Sequence, residues 1–371
     1  MVAVGPDDEA ERSAWLAALA EAIDERSFCL GPAVDRFESR CREILTVPHA
    51  IGMNSGTDAI RLGLQAVGVG PGDEVIAPAF SFFSTASSIA HLGAIPRFVD
   101  VDRNSGLIDI AAAIDLFGPK TKAIIPVHLY GQGAPLEELI PAAKSAGVAV
   151  VEDAAQSFGV RYRGEALGTI GDAGAFSFYP TKNLGAAGDA GLAVTRSDQV
   201  AERLRSLRVH GDAGGYQHLN LGWNARMDGF QGAVLSVKLD RLEQIQSART
   251  RNVESYHQAL EAKGLLDRLR PLARTPGSEH GWHQFIVRTD RREKVREALN
   301  AAQIGCGLYY PGILPTQPAF GEYSHDPVSA REAFPGASEL ADTALALPVH
   351  HRLQPEDPAR VVEVLAKALS D

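Results

Sequence analysis

Cysteine, positive charge and long apolar runs are what this chain of 371 residues has little of, and each shortage closes off a class of protein. Its three cysteines, Cys29, Cys41 and Cys306, are too few and too scattered for a disulfide framework or a closed zinc site. They are expected to act as small buried or half-buried hydrophobes. The eleven histidines show no ligand spacing, and His350 and His351, being adjacent, cannot share a helix face. No metal is expected. A formal net charge of -10 argues against a nucleic-acid surface, which is normally basic. It is compatible with a small anionic ligand, because a pocket can be locally positive in an acidic protein. No apolar run approaches the ~20 residues of a membrane span. The start, MVAVGPDDEAERSAW, lacks the basic region and apolar core of a secretory signal. A cytoplasmic protein without a membrane segment is expected, and no repeats or low-complexity runs interrupt it.

What is present is a globular composition, 45% hydrophobic and 22% charged, over a length that allows a large catalytic domain plus a smaller one. Two amphipathic stretches open the chain. Asp8 to Phe28 predicts a helix with Trp15, Leu16, Leu19 and Ile23 on one face, and Ala33 to Leu45 a second. Strands and helices then alternate: strands at Glu74–Ala79, Pro96–Val101, Ala123–His128 and Val148–Glu152, with a helix at Pro135–Ala146. Such alternation predicts a mostly parallel sheet with right-handed crossovers. A helix over Gln199–Val209 and a long one over about 226–263 follow. Beyond Leu265 the pattern becomes a smaller α+β segment ending in a helix near Pro355–Leu369.

The chemistry concentrates in the stretch from Gly174 to Gly191, GAFSFYPTKNLGAAGDAG. An apolar strand, Ala173 to Phe178, ends at Tyr179 and Pro180, and Lys182 follows in a loop of glycine and alanine. A lysine amine withdrawn from water becomes a nucleophile able to form Schiff bases with carbonyls, including that of pyridoxal phosphate. Upstream, VAVVEDAAQSFG reads as a buried strand ending in Asp153, and ligands of open α/β sheets sit at such carboxyl ends. A carboxylate that keeps a pyridine nitrogen protonated is the second requirement of a pyridoxal site. In HAIGMNSGTDAI, a short strand runs through Asn54 and Ser55 into Gly56, Thr57 and a helix. Such a helix start is either an ordinary cap or a phosphate site. Among Phe80, Phe82 and Phe83, core packing and stacking on a flat ring are both open.

Together VEDAAQSFG, FSFYPTKNLGAAGDAG and GWNARMDGFQGA resemble the DegT/DnrJ/EryC1/StrS family of fold-type I pyridoxal phosphate sugar aminotransferases, from about Leu30 onward. The resemblance implies an α/β fold like that of aspartate aminotransferase. It would comprise a large cofactor-binding domain, 1–263, and a small C-terminal α+β domain, 264–371. It implies Lys182 as the Schiff-base lysine and Asp153 as the partner of the pyridine nitrogen. Ser55, Gly56, Thr57 and Ser177 match phosphate contacts, Phe82 the stacking position, and Gln156 the glutamine near the 3-hydroxyl. Asn224 matches an asparagine that completes the phosphate site of the partner subunit, so a homodimer with shared active sites is implied. Arg208, His210, Arg226 and Tyr310 are candidate substrate contacts.

The reaction so implied is amination of a keto sugar, a nucleotide-linked 3- or 4-keto hexose, with L-glutamate as donor. Two departures stand on the substrate side: Gly215 precedes Tyr216 where relatives often carry a basic residue, and Pro315 stands where many have histidine. They keep a cyclitol aminotransferase in play. A sugar dehydratase of this fold would have histidine in place of Lys182. A regulatory paralogue would bind the cofactor without turnover.

Overall fold

The computed structural model describes residues 4–323 and 326–370. Helices α1 (Glu9–Asp24) and α2 (Pro32–Leu45) precede strand β1 (His49–Met53). Alternation follows: α3 (Gly56–Ala66), β2 (Glu74–Pro78), α4 (Phe83–Ala90), β3 (Ile95–Val99), α5 (Ile110–Asp115), β4 (Thr121–Ile124), α6 (Leu139–Ala146) and β5 (Ala149–Asp153). A short hairpin, β6 (Arg161–Tyr162) and β7 (Glu165–Ala166), leads to β8 (Ala173–Ser177), β9 (Gly191–Thr195), α7 (Asp198–Leu207), α8 (Gly229–Leu239) and α9 (Leu242–Ala262). The remainder is β10 (Arg270–Pro271), β11 (Phe285–Arg288), α10 (Arg292–Ala301), α11 (Pro327–Ala333), α12 (Pro335–Thr343), β12 (Ala344–Leu347) and α13 (Asp357–Leu369).

Seven strands form the main sheet in the order β1-β9-β8-β5-β4-β2-β3. The run from β8 to β3 is parallel, whereas β9 is antiparallel to both its neighbours. Helices cover the sheet, so its strands are apolar without alternation, and Val150 to Asp153 are all buried. Because the parallel strands point one way, their carboxyl ends share an edge, and Asp153 pairs in register with Ala175, two residues before Ser177. A second sheet, β10-β11-β12, is antiparallel throughout. It carries its own apolar core with α9, α10 and α13, including Val253, Tyr256, Phe285, Leu299 and Leu365. Among the described residues no helix is long and apolar enough to cross a membrane.

Three local expectations are corrected. The helix expected over 226–263 is two helices, α8 and α9, with the break at Asp240 and Arg241. There the backbone bonds tighten, Arg241 N–H donating to the Lys238 carbonyl at 3.0 Å, and the two side chains are taken by Arg40 and Asp8. On α1, Trp15 and Ala22 are buried while Leu16 and Ile23 are exposed, so the inward face is rotated from the expected one. Cys29 is exposed, whereas Cys41 is buried.

Candidate active site

The carboxyl edge of the main sheet opens into a cavity of about 540 Å³. Ser55, Gly56, Thr57, Phe82, Asp153, Gln156, Ser177, Lys182 and Tyr310 all line it. Loops leaving β1, β2, β5 and β8 bring all but Tyr310 there, which is the position the topology of an open sheet reserves for ligands, and Tyr310 comes from the segment after α10.

One wall is the start of α3. Ser55 caps the helix, its Oγ accepting from the Asp58 N–H at 3.1 Å. Gly56 follows, and a Cβ there would lie 2.6 Å from Ser177 Cβ. The glycine is therefore required by the approach of β8 as well as by any ligand, and it sets the Ser177 hydroxyl beside the helix N-terminus. Gly191, at the start of β9, allows the same closeness, since its Cβ would sit 2.3 Å from the Ser55 carbonyl oxygen. Unpaired amides at a helix start and a neighbouring hydroxyl make a cradle for a phosphate.

The floor is Asp153. It is buried, with Oδ2 accepting from Thr85 Oγ1 at 2.7 Å and Oδ1 from the Ala155 N–H at 3.2 Å. Burial raises the carboxyl above its usual range, opposed by the Thr85 and Ala155 hydrogen bonds and by the Lys182 charge. Lys182 borders the same space on a turn closed by its own N–H to the Tyr179 carbonyl, 2.8 Å. Loss of water pulls the amine down to about 8, against the attraction of Asp153. A neutral, nucleophilic amine is thus accessible near neutrality.

Gln156 is oriented from behind: its Oε1 accepts from the Tyr130 N–H at 2.5 Å, and its Nε2 donates to the Tyr310 hydroxyl at 3.1 Å. Tyr130 sits at φ 61°, a left-handed conformation that non-glycine residues avoid, and its carbonyl in turn accepts from the His283 N–H. Phe82 caps α4 and stays 54% exposed, an apolar ring presented to the cavity rather than packed in the core. Phe80 is buried and packs edge-on to Tyr310.

Four predicted residues do not reach this cavity. Arg208 is paired with Glu38 at 2.8 Å and donates to the Gly52 carbonyl at 2.9 Å, and Glu38 accepts from the Gly52 N–H at 2.7 Å. The two Arg208 bonds, both made through Nη1, clamp β1 to α2 and give Arg208 a structural role, while its Nε is buried without a partner. His210 is exposed, with its carbonyl taken by the His218 ring. Arg226 donates to Asn224 Oδ1 at 3.0 Å, and Asn224 is itself exposed on the outer side of the segment.

Residues that sequence reasoning missed also line the cavity, among them Ser81, Tyr179, Asp189, His283, Gln284 and Tyr309. His283 stays neutral, its ring pushed well below the usual histidine range by burial and then by Lys182 and Arg249. His283 Nδ1 and Gln284 Oε1 are buried without partners. Behind the floor, Glu152 accepts from the N–H groups of Gly168, Ile170 and Gly171 at 2.7–2.8 Å and from His128 Nε2 at 2.8 Å. Since His128 Nδ1 accepts from the Ala134 N–H, the imidazole is neutral and Glu152 is the charged partner. The Ser81 and Thr85 pair had a readable signal, two hydroxyls four apart at a helix start; the His128–Glu152 pair, 24 residues apart, had none.

The chain is similar to several known proteins. The model of the DegT/DnrJ/EryC1/StrS aminotransferase family matches residues 9–366. A pleiotropic regulatory protein of Geobacillus stearothermophilus is 41% identical, over 94% of this chain and 92% of its own length. The UDP-N-acetyl-3-dehydro-alpha-D-glucosamine 3-aminotransferase of Acidithiobacillus ferrooxidans is 38% identical over 96% and 94%. The crystal structure of S. venezuelae DesV superposes with a TM-score of 0.92 at 35% identity, covering 97% of this chain and 96% of that one. An amine set against a buried carboxylate on the carboxyl edge of this sheet is the arrangement of a chain that belongs to the DegT/DnrJ/EryC1/StrS aminotransferase family.

Proposed function

We infer that this protein is a cytoplasmic, pyridoxal phosphate-dependent aminotransferase that converts a nucleotide-linked keto sugar to an amino sugar, with L-glutamate as donor. The carrying observation is the pairing of Lys182 and Asp153 across one cavity with an anion cradle at its wall. The donor set fits the cofactor group by group. The α3 amides and the Ser55, Thr57 and Ser177 hydroxyls would hold its phosphate, Asp153 its ring nitrogen and Phe82 its face. When bound, the cofactor supplies an electron sink that stabilises the carbanion left when a C–H bond breaks.

The chain's own residues supply attachment and proton transfer. Lys182, an amine of lowered basicity lining the cavity, would hold the cofactor and would move a proton as general acid–base. Asp153, held as the anion by the Thr85 and Ala155 hydrogen bonds, would accept from a protonated ring nitrogen. Gln156, fixed by the Tyr130 amide, would present an N–H to the ring's oxygen substituent. Fixing the ring at both ends aligns the bond to be broken, an orientation effect of the kind that lowers barriers strongly.

The relative named as a 3-aminotransferase of a UDP-linked 3-dehydro sugar supports a keto sugar as the acceptor. The regulatory name carried by another relative supports the reading of cofactor binding without turnover. The intact Lys182–Asp153 pair favours catalysis. The deciding experiment is an absorbance spectrum of the loaded protein before and after L-glutamate, then turnover with UDP- and dTDP-linked keto sugars. Loading that glutamate changes, followed by amino sugar formation, supports the assignment; loading with no response to any donor or acceptor favours the regulatory reading.

The functional unit we propose is a homodimer, in which Asn224 of one copy completes the neighbour's phosphate site. Its exposure outside its own cavity supports this. So do the apolar side chains nearby, Tyr216, Leu219 and Leu221, which are 90%, 72% and 92% exposed. Mixing Lys182→Ala with Asn224→Ala chains tests it. Shared sites predict recovery to about a quarter of wild-type activity, since half the dimers are mixed and one of their two sites is intact. We also propose that the domain boundary lies within α9, because Leu242 packs in a core of the large sheet and Val253 to Leu260 in that of the small one.

A further inference from the structure

Asp153 is held by one hydroxyl, itself hydrogen-bonded to a second, and neither has a part in the proposed reaction. Thr85, in the first turn of α4, is completely buried, and its Oγ1 donates to Asp153 Oδ2 at 2.7 Å. Ser81 Oγ, also buried, lies 2.8 Å from Thr85 Oγ1. A hydroxyl has one proton, and Thr85 gives its own to the carboxylate, so Ser81 is the donor in the second bond. The protons therefore all point one way, from Ser81 to Thr85 to Asp153.

A threonine inside a helix ordinarily satisfies its hydroxyl on the carbonyl one turn back. Thr85 instead reaches across to the end of β5, 68 residues further along the chain. With Ala155 N–H on the other oxygen, each carboxylate oxygen has one protein donor and acceptor capacity to spare at the cavity the residue lines. Donors to the charged form offset the cost of burying it, and a string of hydroxyls strengthens each bond in the series.

The geometry points to Thr85, backed by Ser81, as the positioning residue that fixes Asp153 in orientation and charge against the ring nitrogen of the cofactor. This rests on the reading of the cavity as a pyridoxal phosphate site. Without the hydroxyl, Asp153 is free to turn and holds a proton more readily, so the ring nitrogen loses its proton at lower pH.

The test uses the loaded enzyme as wild type, Thr85→Val, Thr85→Ser and Ser81→Ala. The nitrogen NMR resonance of isotopically labelled cofactor is followed against pH, with cofactor affinity, kcat, KM for glutamate and thermal stability of the cofactor-free protein measured alongside. In Thr85→Val the ring nitrogen deprotonates at lower pH and cofactor affinity falls about 10-fold, the worth of one hydrogen bond to a charged group. Its kcat falls while KM for glutamate changes little. Thr85→Ser restores all three, and Ser81→Ala moves them the same way by less.

A wild-type nitrogen profile in Thr85→Val overturns the role, as does a serine variant no better than valine, which would assign the effect to methyl packing. If Thr85→Val does not fold, Ser81→Ala decides: an unshifted profile overturns the proposal, and a shifted one upholds it. If the wild type binds no pyridoxal phosphate, the functional reading and this inference fall together. If it binds and Thr85→Val matches it, only the role of Thr85 falls.

Discussion

The floor of the cavity and the segment between α7 and α8 both carry polar and charged residues matched to one family of sites, and the fold treats them in opposite ways. On the floor, each side chain is held by a second group: Asp153 by Thr85 and Ala155, Gln156 by the Tyr130 amide. Their backbones belong to strand ends in a covered sheet, so orientation is fixed before any ligand arrives. In the segment from 208 to 226, Arg208 is spent on Glu38 and Gly52, while His210, Tyr216 and Asn224 face outward. The floor is complete within one chain. The segment leaves its polar and apolar side chains to solvent, which is why we propose chemistry for the first region and partnership for the second.

The largest effect that separates the regions is expected from Lys182→Ala, which should lower turnover by at least ~10²-fold through loss of the general acid–base. Steady-state rates at saturating substrate measure it. A variant retaining wild-type rates would break the contrast at its centre. Arg208→Met should act on stability instead, costing ~3 kcal/mol because Glu38 is left buried without its partner, with KM for both substrates unchanged. Urea unfolding together with kinetics checks it, and a selective rise in KM would return Arg208 to the substrate.

Gly56→Ala comes next. Its new Cβ meets Ser177 at 2.6 Å, and the overpacking should cost about 1–3 kcal/mol. Cofactor affinity should weaken with it, as read by titration of the cofactor-free protein. A smaller effect concerns pH. Lys182 is lowered from 10.5 to about 8 in the folded, cofactor-free protein, so between those values the unfolded chain binds more protons. Stability should then rise with pH from about 8 toward 10.5, and Lys182→Met should flatten that rise in melts of the cofactor-free protein. The smallest effect on folding is expected from serine at Tyr216, Leu219 and Leu221 together. Solvent-facing changes stay within about 0.5 kcal/mol per site, while sedimentation should report loss of the proposed dimer.

Strands were legible because a parallel sheet covered on both faces demands unbroken apolar runs, which VAVVED and AGAFSF supply. The apolar period of α1 did not say which arc faces inward, because Leu16 and Ile23 satisfy the same spacing as the buried Trp15. Nor did the apolar run after Gly229 reveal the break at Asp240, which depends on Arg40 and Asp8, distant in sequence.

The sequence by itself determined the candidates: a lysine in a small-residue loop, a carboxylate ending an apolar strand and a capped helix start are local patterns, and the family resemblance gave them their proposed roles. Only the tertiary structure decided what each charge is used for. Arg208 and a substrate-binding arginine look alike as letters; the difference is a carboxylate 170 residues away at 2.8 Å. The hydroxyls behind Asp153 and the His128–Glu152 pair were likewise set by packing between elements. The physical reason is that propensity and period act over a few residues, whereas a buried charge is assigned by whichever partner the fold brings within hydrogen-bonding distance.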